Sequence, residues 1–167
     1  MSNEALNICL RVAGPEDEAF LYEVYKATRA EEMAAWGWDA AQQDAFLRMQ
    51  FRAQQMSYQA EDVGTKTEII LLDEESVGRI IVKSREYEIQ LVDIALLTEY
   101  RGRGIGTSLI KELIEEAGRA GKFVRLHVLK TNFGARRLYE RLGFKVTGES
   151  GMHFGMERAP DAFESPI

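Results

Sequence analysis

The chain has 167 residues, 46% hydrophobic and 29% charged, with 14 Gly, 3 Pro and a net charge of −6. That length predicts one compact domain around one core, and the composition excludes collagen-like, low-complexity and disordered chains. No apolar run approaches the roughly 18 residues of a membrane helix, and Met1-Ser2-Asn3-Glu4-Ala5 lacks the basic and apolar regions of a secretion signal. A soluble, cytoplasmic protein with no membrane partner is therefore expected. Cys9 is the only cysteine, and His127 and His153 stand far apart with no cysteine near them, so neither an internal disulfide nor a metal site is expected.

Charge is unevenly spread. Residues 1–62 carry 5 basic and 11 acidic side chains, whereas residues 100–145 carry 11 basic and 4 acidic ones, a local excess of +7. A basic segment inside an acidic protein suggests a locally bound anion rather than nucleic acid, which usually calls for a basic total.

In chain order, Leu6 to Val12 reads as a short strand. Gly14-Pro15 with Glu16, Asp17 and Glu18 reads as a helix start, followed by Phe20, Leu21, Val24, Tyr25 and Thr28 at helical spacing. Trp36-Gly37-Trp38 breaks that pattern, and Asp39 with Gln42 resembles a capping box opening a second helix through Phe46, Leu47 and Phe51. From Thr67 the period changes. Ile69 to Leu72 and Val77 to Lys83 read as a hairpin across the polar turn Asp73 to Ser76, and Glu88 to Leu97 reads as a third strand interrupted by Asp93. Leu109, Ile110, Leu113, Ile114 and Ala117 mark an amphipathic helix ending near Gly118 or Gly121. Then follow a strand at Phe123 to Leu129, a helix at Phe133 to Leu142, and strands at Phe144 to Gly148 and His153 to Glu157. This order implies a mixed sheet with a parallel crossover around residues 88 to 128.

The most informative segment is Arg101-Gly102-Arg103-Gly104-Ile105-Gly106-Thr107, between a strand and a helix. Alternating glycines let a ligand approach the backbone, and a helix N-terminus offers unpaired N–H groups and positive dipole to phosphate. A Walker A loop is excluded because no lysine follows Gly106, and the Gly-x-Gly-x-x-Gly dinucleotide fingerprint fails at Thr107 and Leu109. Ser150 in Gly148-Glu149-Ser150-Gly151 lacks nucleophile-elbow spacing and reads as a turn.

The pattern Arg101-x-x-Gly104-x-Gly106 resembles the signature of the GNAT acetyltransferase superfamily. A second element of that family follows in order: Leu126 to Asn132, then Ala135, then Leu138-Tyr139-Glu140-Arg141-Leu142-Gly143-Phe144. The resemblance is close over residues 67–148. It implies a mixed, mostly antiparallel sheet of six or seven strands, helices on both faces and a splayed central cleft. It implies one domain over 1–167, with a helical acceptor-side portion at 1–66, a cofactor-binding core at 67–158 and a tail at 159–167.

The resemblance also implies the chemistry: transfer of an acetyl group from acetyl-CoA to a primary amine by direct attack in a ternary complex, without a metal. The pantetheine arm would pair with the backbone of Ile94, Ala95 and Leu96, and the pyrophosphate would lie on the amides of Arg101, Gly102, Arg103, Gly104, Ile105, Gly106 and Thr107. Asn132 would contact the cofactor and cap a helix. The Leu96 N–H would stabilise the oxyanion. Tyr139 matches the family's proton donor to the departing thiolate, and a phenol with a pKa near ~10 is protonated at neutral pH. For the general base, Asp93 and His127 stand level; some family members carry an acid at the position of His127, so histidine is a departure there. Asp93 is alternatively a buried carboxylate that pairs with an arginine or caps the bulge, and His153 reads as a surface or core strand residue with no role in the chemistry.

Trp36 and Trp38 would either line the acceptor pocket or anchor the helical pair. The acidic residues Glu31, Glu32, Asp39 and Asp44 would attract a cationic amine or form solvated surface. The acceptor is a small molecule or a peptide, and a homodimer is compatible with the reading. The rival functions are a catalytically silent CoA-binding or sensing module, and a protein acetyltransferase acting on N-termini or lysines.

Overall fold

The computed structural model describes residues 6–60 and 64–161, apart from the side chains of Glu31, Glu32 and residues 58–60. Its elements are β1 (Ile8–Val12), α1 (Glu18–Ala34), α2 (Ala40–Ala60), β2 (Thr65–Leu72), β3 (Glu75–Ser84), β4 (Glu88–Leu96), α3 (Ile105–Arg119), β5 (Phe123–Leu129), α4 (Phe133–Arg141), β6 (Lys145–Ser150) and β7 (His153–Arg158). Two short 3₁₀ turns, Pro15–Asp17 and Thr98–Tyr100, are too brief to leave a periodic trace in the sequence. The seven strands form one sheet of order β1-β2-β3-β4-β5-β7-β6. The chain divides into two compact units, one of Met1–Ile81 with Asp93–Ile105, the other of Val82–Val92 with Gly106–Ile167.

In the first unit, β1 pairs antiparallel with β2 from Ile8↔Leu72 to Val12↔Glu68. The turn into β3 is shorter than the four polar residues suggest. Asp73 (φ 49°) and Glu74 (φ 71°) alone connect the strands, both left-handed, as the right-handed twist of a two-residue hairpin demands. Helix α1 starts where Arg11 clamps Asp17 through two 2.9 Å bonds and the Gly14 N–H donates to the same carboxylate at 2.8 Å. Helix α2 starts with the expected reciprocal box. The Gln42 N–H donates to Asp39 Oδ1 at 2.8 Å and the Asp39 N–H to Gln42 Oε1 at 3.2 Å, a cap contributing about 1 kcal/mol.

The two helices are joined by a core of Leu21, Tyr22, Tyr25, Met33, Leu47 and Phe51 that also takes in Ile69 of β2. Each such apolar side chain contributes about 1.5–3 kcal/mol on burial. A part-buried polar tie crosses the helix pair: the Tyr22 hydroxyl donates to Asp44 at 2.5 Å, and Arg48 bonds the same carboxylate at 2.9 Å while lying over the Tyr22 ring.

In the second unit, β4 runs parallel to β5 over four pairs, from Glu88↔Phe123 to Leu91↔Leu126. Parallel neighbours need a crossover, which α3 supplies, burying Leu109, Leu113 and Ala117 at i, i+4 and i+8. Strand β7 lies between β5 and β6, antiparallel to both, and the β6 register shifts between Val146 and Gly148. Strand β5 alternates strictly: Val124, Leu126 and Val128 are buried, and Phe123, Arg125, His127 and Leu129 are exposed.

Candidate active site

The β4–α3 connection is built by backbone constraints. The four-pair ladder between β4 and β5 stops at Leu91, and β4 continues to Leu96. Over that stretch β4 lies tightly on β3 because position 78 has no side chain. A Cβ there would overlap the Ala95 carbonyl oxygen and come within 3.1 Å of the Leu96 Cα. The Leu97 N–H closes the pair onto Val77 O at 2.9 Å. Sequence reasoning missed Gly78, although glycine inside a β-branched strand is a signal of close backbone approach.

After the Thr98–Tyr100 turn, Gly102 (φ 75°) and Gly104 (φ 83°) both adopt left-handed backbone, and no other atom crowds the place of a Cβ at either. Conformation, not lack of space, therefore demands glycine twice in three residues. Ile105, 1% exposed, fixes the first residue of α3, and the helix carries no acid in its first turn. The 15-residue helix thus presents its free N–H groups and dipole uncompensated, which suits an anion.

Arg101 braces the loop, donating from Nε to Leu96 O at 3.1 Å and from Nη2 to Ala27 O of α1 at 3.4 Å. Arg103 lies over the Tyr100 ring, 5.2 Å from its centroid. The Tyr100 hydroxyl donates to Glu75 at 3.0 Å, and that carboxylate raises the phenol's pKa. Among the described residues, only Arg125, Lys130 and Arg136 of the eleven basic side chains in 100–145 have carboxylate partners. The local positive excess is therefore largely unneutralised.

Asp93 is held by an arginine. Arg79 Nε and Nη2 both reach Asp93 Oδ2 at 2.9 Å, with Arg79 5% exposed and its guanidinium 5.9 Å from the Tyr25 ring. Asp93 Oδ1 has no hydrogen-bond partner among the described residues. Arg79 was not foreseen; a charge inside the apolar run Val77 to Val82 was its only sequence signal.

In the second unit, the Asn132 carboxamide accepts from the Ala135 N–H at 3.1 Å and so caps α4 as expected. Seven residues on, Tyr139 is half-buried, its ring 5.8 Å from Phe144 at 60°, and its carbonyl accepts from the Phe144 N–H at 3.0 Å. His127 is exposed on β5 opposite Gly155, where a Cβ would stand 3.8 Å from the imidazole Nε2. Its ring makes no hydrogen bond among the described residues. His153 is exposed and pairs with Leu129 and Ser150 through the backbone ladder. No group of three or more metal-ligating side chains occurs among the described residues. No helix there is long and apolar enough to cross a membrane.

Trp36 and Trp38, each 40% exposed, pack edge-on against each other and against Phe46 of α2, with centroids 5.3–5.7 Å apart. Rings this close leave no room among them for a ligand. Asp39 and Asp44 are spent on the α2 cap and on Tyr22 with Arg48. Glu31 and Glu32, the rest of the expected acidic face, have side chains outside the described residues.

With this geometry in place, comparison with known proteins fixes the class. The sequence matches the Acetyltransferase (GNAT) family over residues 20–144, and the chain belongs to that family. Relatives include N-acetyltransferase 8B of Homo sapiens, 36% identical over 70 residues, covering 41% of this chain and 31% of that protein. Thialysine N-epsilon-acetyltransferase of Mus musculus is 37% identical over 94 residues, covering 50% of this chain and 55% of that protein. The chain thus matches about a third to just over half the length of these curated relatives. Among solved structures, the PaiA N-acetyltransferase of Thermoplasma acidophilum in complex with coenzyme A superposes with a TM-score of 0.69 at 22% identity, covering 95% of this chain and 99% of that one. That likeness is one of fold.

Proposed function

We propose that the protein is an N-acetyltransferase that moves an acetyl group from acetyl-CoA to a primary amine by direct attack. The observation that carries this reading is the start of α3: two left-handed glycines lead into an uncompensated helix N-terminus inside a segment with surplus positive charge. Backbone amides of Arg101 to Thr107 would bind the pyrophosphate, and Asn132 the pantetheine region. The backbone of Ile94, Ala95 and Leu96 would pair with the pantetheine arm, which fits the end of the β4–β5 ladder at Leu91.

In the transfer step the amine lone pair attacks the thioester carbonyl carbon and forms the C–N bond. The Leu96 N–H is the proposed donor to the developing oxyanion. The C–S bond then breaks, Tyr139 gives its proton to the departing thiolate, whose conjugate acid has a pKa near ~8.5, and the surplus proton on the new amide nitrogen returns to the Tyr139 phenolate. The attacking ammonium first loses a proton, to His127 or to Asp93. The unpaired ring of His127 favours it, whereas Asp93 has only Oδ1 uncommitted. The PaiA structure with coenzyme A and the thialysine acetyltransferase relative support the same cosubstrate and acceptor type.

A second reading is a CoA-binding module without turnover, which the engagement of Asp93 by Arg79 favours. Calorimetric titration with acetyl-CoA, CoA and ATP, followed by thiol release with amines and peptides, separates the two. Binding of both CoA species but not ATP, with amine-dependent thiol release, supports the transferase. Binding without release supports the module, and release only with peptides makes the acceptor a protein. Absence of CoA binding would overturn both readings.

A further inference from the structure

A concave site unrelated to the glycine loop lies wholly within the first unit. A cavity of about 450 Å³ is lined by the end of β1, the first turns of α1, the second half of α2, the start of β2 and the middle of β3. This volume is in the range of small-molecule pockets. Leu21, Phe51 and Ile81 give it apolar wall. Its polar lining is Glu18, Gln54, Gln55, Thr65, Thr67 and Arg79.

That lining is unspent. Among the described residues, the side chains of Glu18, Gln54, Gln55, Thr65 and Thr67 make no hydrogen bond or ion pair, and Arg79 uses Nε and Nη2 on Asp93 but not Nη1. No unpartnered side-chain nitrogen or oxygen there is cut off from solvent, so Nη1 retains access although Arg79 is only 5% exposed. Buried Arg79 and half-buried Gln54, Gln55, Thr65 and Thr67, together with exposed Glu18, thus offer this cavity donors and acceptors that the protein itself does not use.

We propose that this cavity binds a small zwitterion of amino-acid type, its ammonium on Glu18 and its carboxylate on Nη1 of Arg79. The two lining charges are opposite, so a simple anion would meet Glu18 and a simple cation would leave Arg79 unsatisfied. A guanidinium has five N–H donors and serves Asp93 and a second carboxylate together. The glutamine amides and threonine hydroxyls remain for a polar ligand side chain, and Phe51 and Leu21 for its carbon atoms.

The test is calorimetry and thermal shift on the full chain. Ligands are glycine, leucine, glutamine and phenylalanine, together with 3-methylbutylamine and 4-methylpentanoate as leucine lacking one charge each. At least one amino acid should bind saturably below about 10 mM, at least about tenfold more tightly than either single-charge analogue. Glu18→Gln, at an exposed position, should remove that preference over 4-methylpentanoate, and Thr67→Val should weaken binding less. No saturable binding by any amino acid, or binding that Glu18→Gln leaves unchanged, overturns the proposal. CoA titrated in parallel shows separately whether the acetyltransferase reading holds, since these substitutions leave the glycine loop untouched.

Discussion

Arg79 reaches Asp93 with two nitrogens on a single oxygen, Oδ2, each at 2.9 Å. The arginine side chain is 6% exposed and the aspartate 32%, so the pair is asymmetric. Removing the aspartate strands a buried cation, whereas removing both groups strands nothing. Asp93→Asn should therefore cost about 2 kcal/mol in urea unfolding, below the 3–5 typical of fully buried pairs, and Asp93→Leu with Arg79→Met should recover most of it. Equal losses in the single and double variants would show that the pair is not coupled.

Left-handed backbone at Gly104 shapes the loop proposed to hold the pyrophosphate. Gly104→Val should abolish CoA binding in calorimetry while far-ultraviolet circular dichroism stays native, since the conformational cost is about 1–2 kcal/mol at one residue. Gly78→Ala should behave oppositely and lower the melting temperature, because its Cβ meets backbone at Ala95 and Leu96.

If Tyr139 donates the proton, Tyr139→Phe should reduce kcat by ~10²-fold with CoA affinity within a factor of about two. The phenyl ring retains the contact with Phe144. Unchanged kcat would remove Tyr139 from the mechanism.

Base assignment is readable in the pH profile. With His127 as base, His127→Gln should suppress kcat/KM near neutrality and recover partly at high pH, where the free amine forms without help. An unaltered profile would pass the role to Asp93 or to water.

Two arms of the stability curve follow from α1. Hydrogen bonds from Arg11, then from the Gly14 N–H, lower the Asp17 pKa from 3.8 to about 2. A depressed folded-state value stabilises above pH 3.8, and that contribution is lost as the pH falls towards 2. Burial, then the bond to Asp44, raises Tyr22 from 10.0 to about 12. Its contribution is full below pH 10.0 and is lost as the pH rises through about 12. Arg11→Gln should move the acid midpoint upward, and Tyr22→Phe should flatten the alkaline arm; unfolding curves in urea against pH measure both.

Much of this was legible in the sequence. The period of Leu109, Ile110, Leu113 and Ala117 placed α3, the Asp39 and Gln42 spacing placed the start of α2, and Asn132 proved to be the cap of α4. What stayed hidden depends on distant partners. The need for Gly78 comes from Ala95 on the neighbouring strand, and the commitment of Asp93 comes from Arg79. The aspartates near Trp38 look like a free acidic face until their bonds to Gln42, Tyr22 and Arg48 are seen. Short-range pattern reports which face a side chain takes, not what it meets there.

The hairpin between β2 and β3 turns on Asp73 and Glu74, two residues with side chains in a conformation that glycine and asparagine adopt more readily. The Asp73 N–H also donates to Asn7 O at 3.1 Å, which ties the turn to the residue before the edge strand. Such a turn leaves room for stabilisation by substitution. Asparagine and glycine at these two positions are therefore the natural first step towards a hardier variant, because they relieve the backbone and leave the glycine loop, Asp93 and Tyr139 unaltered.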